Sequence, residues 1–105
     1  MKLSTARARQ TIEQLEEQGA FRETLAISDD NPLVPRLTSM FGDHTFFLDS
    51  EGLHIIEPAE PGAADAPECQ VIKLASWRDA GRTALAPQHP EPTEIVIVLG
   101  PDEEA

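Results

Sequence analysis

Residues 44–58 read HTFFLDSEGLHIIEP, and this stretch decides the fold. Two runs rich in β-branched and aromatic residues, 44–48 and 53–58, flank the short polar segment DSEG. Aspartate at the first turn position and glycine at the fourth are typical of a type I turn followed by a left-handed glycine. The stretch therefore predicts a β-hairpin. In its predicted register Leu48 lies opposite His54, Phe47 opposite Ile55 and Phe46 opposite Ile56.

Two further runs extend the predicted sheet. CQVIKLAS at 69–76 is a third strand candidate, and EIVIVL at 94–99 gives the clearest strand pattern. Because the second run has no polar face, it predicts a central strand or one whose second face meets another surface. The segment 78–92, with one glycine and three prolines, predicts a loop. Within it, residues 83–86 fit either a short strand or an irregular segment.

The N-terminal residues 4–19 predict a helix. Ser4 or Thr5 can cap its start by accepting a backbone N–H bond, and Gly19 is a typical stop. Ala8, Ile12 and Leu15 form a narrow apolar stripe. Arginines near the first turn and glutamates near the last oppose the helix dipole, so this helix needs docking to be stable.

A second, shorter helix is predicted at 32–41. Asn31 suits the N-cap, Pro32 suits the first helical position, and Gly42 supplies the stop. The apolar residues of this segment recur at helical spacing: Leu33, Leu37, Met40 and Phe41. The preceding segment 21–27 fits either a helical continuation or an extended linker.

These elements predict an α+β fold of two layers, in which N-terminal helices pack on an antiparallel sheet of three to five strands. The length of 105 residues predicts a single domain, 1–105. Residues 58–68, PAEPGAADAPE, contain no large apolar side chain and predict a mobile acidic loop. Residues 101–105 predict a flexible acidic tail.

The charge of the chain limits its partners. Eight Lys and Arg against nineteen Asp and Glu give a net charge of −11, which repels nucleic-acid phosphates and anionic lipid. We therefore expect neither nucleic acid nor a membrane as partner. The chain has no apolar window of membrane-spanning length, and its N-terminus lacks the apolar core of a secretory signal. Together with the single cysteine, Cys69, this favours a cytoplasmic protein.

The residues that carry chemistry form no specific motif. His44 and His54 lie on opposite arms of the predicted hairpin, roughly 13 Å apart, too far to share a metal ion. His89 falls in a proline-rich segment and is expected to be exposed. No glycine-rich phosphate loop occurs. We therefore expect no metal site, no cofactor and no catalytic set, and we interpret Cys69 as a small buried hydrophobe rather than a nucleophile.

Two functional hypotheses follow, with a weaker third. The two-sided apolarity of the strands predicts a non-enzymatic protein-interaction or self-associating module, with a homodimer as one form. The candidate interface residues are Phe47, Ile55, Trp77, Val96 and Val98. For Trp77 the favoured alternative is a structural role in which the ring closes one end of the sheet. The alternative is a small-ligand binder or minor enzyme that uses His44 and Asp43, with His54 and Thr45, at a pocket mouth. The third is an acidic mimic of nucleic acid.

Overall fold

The computed structural model describes residues 2–19, 21–28, 30–59 and 68–100. Within these ranges the chain forms two helices and five strands. In chain order they are α1 (Thr5–Gln18), β1 (Leu25–Ala26), α2 (Val34–Phe41), β2 (Phe47–Leu48), β3 (Gly52–Pro58), β4 (Glu68–Trp77) and β5 (Leu85–Val98). Neighbouring strands are antiparallel, in the order β1-β2-β3-β4-β5. The predicted α+β class, with helices packed on an antiparallel sheet, is confirmed.

Helix α1 begins and ends as its sequence predicts. The Ser4 hydroxyl accepts a hydrogen bond from the N–H of Arg7, and Gly19 has a left-handed φ of 63°. The first turn carries no acid and the last turn no base, so the helix dipole is not compensated. Instead α1 is stabilised by docking, with Leu15 and Thr11 buried against the sheet.

Helix α2 begins two residues later than predicted. Asn31 does not cap it, because its side-chain oxygen accepts the N–H of Leu33 and closes a separate turn before the helix. Gly42 ends the helix as predicted, donating its N–H to the carbonyl of Thr38. The segment 21–27, which the sequence left open, contains the two-residue strand β1 at one edge of the sheet.

The hairpin forms, but its predicted register is wrong by one residue. The observed pairs are Phe47 with His54 and Leu48 with Leu53. The N–H of Asp49 donates to the carbonyl of Gly52 at 3.0 Å, so only two residues lie between this pair. The tighter turn results from the Asp49 carboxylate, whose Oδ1 accepts the N–H groups of residues 51 and 52.

Gly52 is required by close packing as well as by its backbone angle. Its φ is 139°, and a Cβ at this position would lie 2.1 Å from the carbonyl oxygen of Ala75 on β4. A side chain is therefore excluded where β3 begins against its neighbour. The glycine was predicted for a left-handed bulge, but the contact with β4 is what the local sequence does not reveal.

Strand β5 differs from its prediction in length and position. It runs from Leu85 to Val98 and includes the prolines that predicted a loop. It is also an edge strand of the sheet, so of the two alternatives for EIVIVL the central strand is wrong. The edge explains the prolines, because a residue without an N–H is tolerated where that group would face away from the sheet. Register shifts against β4 accompany the proline-rich half.

The predicted acidic loop is bounded by strand residues. Pro58 ends β3 and Glu68 begins β4, and the N–H of Ala59 donates to the carbonyl of Glu68 at 2.8 Å. The rest of the loop, 60–67, lies outside the described residues, as does the predicted tail 101–105.

Most of the buried apolar side chains belong to two clusters, one on each face of the sheet. The first contains Leu37 of α2 and Ile55 of β3. The second contains Leu15 of α1 and Ile56 of β3. Because Ile55 and Ile56 are consecutive in one strand, their side chains point to opposite faces. A helix therefore lies against the sheet on each face, and the two-sided apolarity of the hairpin is used inside the monomer.

Candidate functional site

A surface cavity of about 710 Å³ lies between the end of α2 and the proline-rich half of β5. Its apolar lining comes from three places: Ile55, Ile72 and Leu74 on the sheet, Met40 and Phe41 on α2, and Pro87 and Pro90 on β5. Its polar lining consists of His44, Glu57, Gln88 and His89. An apolar lining with a few polar groups is typical of a binding site.

The strand pattern explains why these side chains meet. Ile55 and Glu57 are two residues apart on β3, so both point to the cavity face. Ile72 lies opposite Ile55 on β4, which widens the apolar part of the lining. On the other side Gly42, with its left-handed φ of 94°, turns the chain after α2 and leads it to His44.

The His44 ring is held through both nitrogens. Its Nδ1 lies 3.1 Å from Oε1 of Glu57, and its Nε2 lies 3.0 Å from the carbonyl oxygen of Phe41. The ring of Phe46 packs edge-on against it. The arrangement fixes the ring in place and presents Glu57 beside it at the cavity.

The residues of the predicted pocket do not converge. Of Asp43, His44, Thr45 and His54, only His44 lines the cavity. Asp43 is exposed and pairs with Lys2 at 3.8 Å. Cys69 lies in the cluster beneath α1, on the other face of the sheet, and desolvation by burial raises the pKa of its thiol. The structure therefore does not bring these groups together at the cavity, and the small-ligand or enzyme alternative stays a prediction.

Sequence reasoning missed Glu57 and His89 as cavity residues. Glu57 carried a signal, because it lies two residues from the apolar Ile55 in a predicted strand. His89 is exposed as predicted, but it belongs to β5 rather than to a loop. Only the long-range pairing of β4 with β5 brings it to the cavity, and local sequence does not encode that pairing.

A second constellation is buried and structural. Nδ1 of His54 lies 2.7 Å from Oδ2 of Asp49, an electrostatic contact rather than a well-aligned hydrogen bond, and both side chains are buried. The ring of Phe21 stacks on His54 with centroids 4.3 Å apart. Among the described residues, Nε2 of His54 has no hydrogen-bond partner. The indole N–H of Trp77 donates to the main-chain carbonyl of Asp49 at 2.7 Å, so the half-buried Trp77 closes one end of the sheet.

The predicted interface residues divide into buried and exposed. Phe47 and Ile55 are only 1% and 4% exposed. Both side chains are packed within the monomer, although Ile55 also contributes to the cavity lining; their role in an interface stays a prediction. Val96 and Val98 are 43% and 48% exposed, since Ile97 between them takes the buried position. The two valines thus remain available to a partner.

The chain matches no protein-family model, no curated protein and no solved structure. In the part of the chain that the structure describes, no group of three His, Cys, Asp or Glu side chains is placed to hold a metal ion. No helix in that part is long and apolar enough to cross a membrane.

Proposed function

We propose that the protein is a non-enzymatic interaction module whose cavity binds a short segment of a protein partner, with apolar anchors flanked by basic residues. The observation that carries the proposal is the cavity itself. Its volume of about 710 Å³ falls within the usual range for binding sites and is large enough for two or three side chains of a peptide. The exposed Met40, at the cavity edge, offers an adaptable apolar contact.

The electrostatics favour a basic segment. The net charge of −11 gives the surface a negative field. Close to the cavity, Glu57 belongs to the lining and Glu91 lies beside it, accepting a hydrogen bond from the Gln88 side chain at 3.1 Å. Lysine or arginine residues next to the apolar anchors are therefore attracted on approach and in the complex.

The same charge disfavours a homodimer as the main assembly. Two copies would bring two net charges of −11 together, and like charges across an interface oppose binding. The negative field attracts a basic partner, whereas it repels a second copy of this acidic chain. The single cysteine, Cys69, is a buried thiol, which suits a reducing, cytoplasmic location for such a complex.

The cavity does not favour catalysis. Among the described residues that line it, none is serine, threonine or cysteine. His44, the one predicted catalytic candidate present, has both ring nitrogens engaged by Glu57 and by the carbonyl of Phe41. A general base needs a nitrogen within reach of the substrate proton, so the ring is better suited to positioning than to proton transfer.

The test is a selection of random twelve-residue peptides displayed on phage against the immobilised protein. We expect enriched peptides to carry large apolar residues next to lysine or arginine, and their affinity to fall as salt is raised. Met40→Glu should weaken a selected peptide at least tenfold. Leu33→Glu is the matched control: Leu33 is 45% exposed against 49% for Met40, precedes the same helix and lies outside the cavity lining.

Two outcomes would contradict the proposal. One is the absence of any enriched peptide. The other is a selected peptide whose affinity falls equally for Met40→Glu and Leu33→Glu. Sedimentation of the free protein at micromolar concentration distinguishes the second copy from a foreign partner, and we expect a monomer.

A further inference from the structure

We infer that Gln10, Gln14 and Gln18 of α1 act as a substitute strand that seals the outer edge of β5, and that this seal prevents β5 from pairing with the β5 of a second copy. The inference concerns the sheet edge and is independent of the cavity. In the described part of the chain β5 is the last strand of the sheet, so one of its edges pairs with β4 and the other has no strand beside it. An uncovered edge of this kind is a template for pairing with another chain.

The glutamine side chains bond the backbone along this edge. Gln14 makes both bonds to Val98: its Nε2 donates to the carbonyl at 2.5 Å, and its Oε1 accepts the N–H at 2.7 Å. Gln18 donates to the carbonyl of Val96 at 2.9 Å, and Gln10 accepts the N–H of Gly100 at 2.8 Å. A side-chain amide carries the same donor and acceptor as a peptide group, so each glutamine replaces part of a neighbouring strand.

The spacing of the two elements makes the ladder possible. Residues four apart on a helix are separated by about 6 Å along its axis. Residues two apart on a strand are separated by about 6.7 Å, and in a ladder every second residue directs its backbone groups to the same edge. Three glutamines at intervals of four therefore match Val96, Val98 and Gly100, with α1 running antiparallel to β5.

The sealed segment is one that would otherwise self-associate. Residues 95–99 are five consecutive apolar residues without charge, which is the composition of segments that stack into intermolecular sheets. The exposed Val96 and Val98 add apolar side chains beside the same edge. An antiparallel pair of identical β5 strands is self-complementary about a two-fold axis. The occupant that the ladder excludes is therefore a second copy of this chain.

The experiment compares the triple variant Gln10→Ala, Gln14→Ala, Gln18→Ala with the wild type by sedimentation at tens of micromolar. We expect a monomeric wild type and a triple variant that forms dimers and larger species. Adding Val96→Lys and Val98→Lys to the triple variant should restore the monomer, because lysine on an edge strand opposes pairing. The matched control is Glu13→Ala, Glu16→Ala, Glu17→Ala, at three exposed positions of the same helix. This control variant carries less negative charge than the wild type, and the lower charge by itself favours association. A control that stays monomeric therefore shows that loss of the glutamines, and not a change of α1 in general, causes association.

A folded triple variant that stays monomeric would overturn the inference, as would association that the two lysines do not reverse. If the triple variant unfolds, the single variant Gln14→Met tests the inference instead. Methionine favours the helix as glutamine does, and it removes both hydrogen bonds to Val98. In that variant we expect the N–H of Val98 to exchange with solvent at least tenfold faster than in the wild type. An unchanged exchange rate would show that the ladder does not protect the edge.

Discussion

The carboxylate of Asp49 lies 2.7 Å from Nδ1 of His54, and both side chains are buried. The same Asp49 accepts the indole N–H of Trp77 through its main-chain carbonyl and closes the β2–β3 turn through Oδ1. One residue thus joins the turn, the strand that follows it and the end of β4. Losing either side chain leaves the other buried without this contact.

We expect Asp49→Asn to lower the free energy of unfolding by about 2 kcal/mol, because it removes a carboxylate oxygen from a buried polar contact and leaves His54 without it. Asparagine keeps the oxygen that closes the turn, so the loss reports the contact with His54. The measurement is urea unfolding followed by circular dichroism. Asp43→Asn is the control, because that exposed pair with Lys2 should contribute less than about 0.5 kcal/mol. Equal losses in the two variants would refute the prediction.

Gly52→Ala should be more destabilising than Gly19→Ala. Both glycines have positive φ, but a Cβ at Gly19 meets nothing within 4 Å, whereas one at Gly52 lies 2.1 Å from the carbonyl of Ala75. Backbone strain alone accounts for about 1 kcal/mol at Gly19. At Gly52 the added clash should raise the loss to about 3 kcal/mol. Thermal unfolding of both variants gives the comparison, and similar melting temperatures would show that β4 can move aside.

The buried thiol of Cys69 predicts a pH dependence on the alkaline side. Desolvation raises its pKa above the ordinary value of 9.0 in the folded protein. Below about pH 9 the thiol is neutral in both states, and its contribution to stability is fully present. As the pH rises further, the unfolded thiol ionises first, so stability should fall. Cys69→Val should flatten this fall. The native thiol should also resist a disulfide reagent until the protein is unfolded; rapid labelling of the native state would contradict its burial.

Asp79 predicts a local change on the acid side. Its pKa is lowered, first by the hydroxyl of Thr83 at 2.7 Å and next by the N–H of the same residue at 3.0 Å. Stability from these bonds is present above the ordinary value of 3.8 and should be lost as the pH falls through the lowered pKa. The amide signal of Thr83 should shift in that range. Asp79→Ala should show no such shift, and a shift that persists in the variant would assign the change to another carboxyl.

Short sequence patterns such as helix caps and turns predicted where the helices and the hairpin lie. They did not predict how the strands pair with one another. Ser4 and Gly19 bound α1 because caps act within one turn of the chain. The hairpin register failed because DSEG fits two turns that differ by one residue, and only the hydrogen bonds of Asp49 select the tighter one. The sequence therefore predicts where a turn occurs more firmly than how it pairs its strands.

The candidate site was harder to predict than the fold. The three prolines in 87–92 indicated a loop. Prolines are tolerated on an edge strand, but the strand order that makes β5 an edge strand is not evident from the sequence. With that segment assigned to a loop, neither His89 nor the cavity beside α2 could be placed. The glutamines of α1 likewise looked like an ordinary solvated helix face, since nothing local reveals that a strand edge lies beside them.

The ladder also bears on how the protein is made. Gln14 and Val98 are separated by 84 residues, whereas each strand pairs with its neighbour in the chain. Contacts between distant residues close the longest loops and carry the greatest entropic barrier. On the ribosome α1 emerges before its partner strand, because Gln14 precedes Val98 in the chain by 84 residues. The nascent sheet therefore passes through an interval with β5 paired on one side only, and the rate at which α1 docks sets how long a neighbouring nascent chain has to intervene.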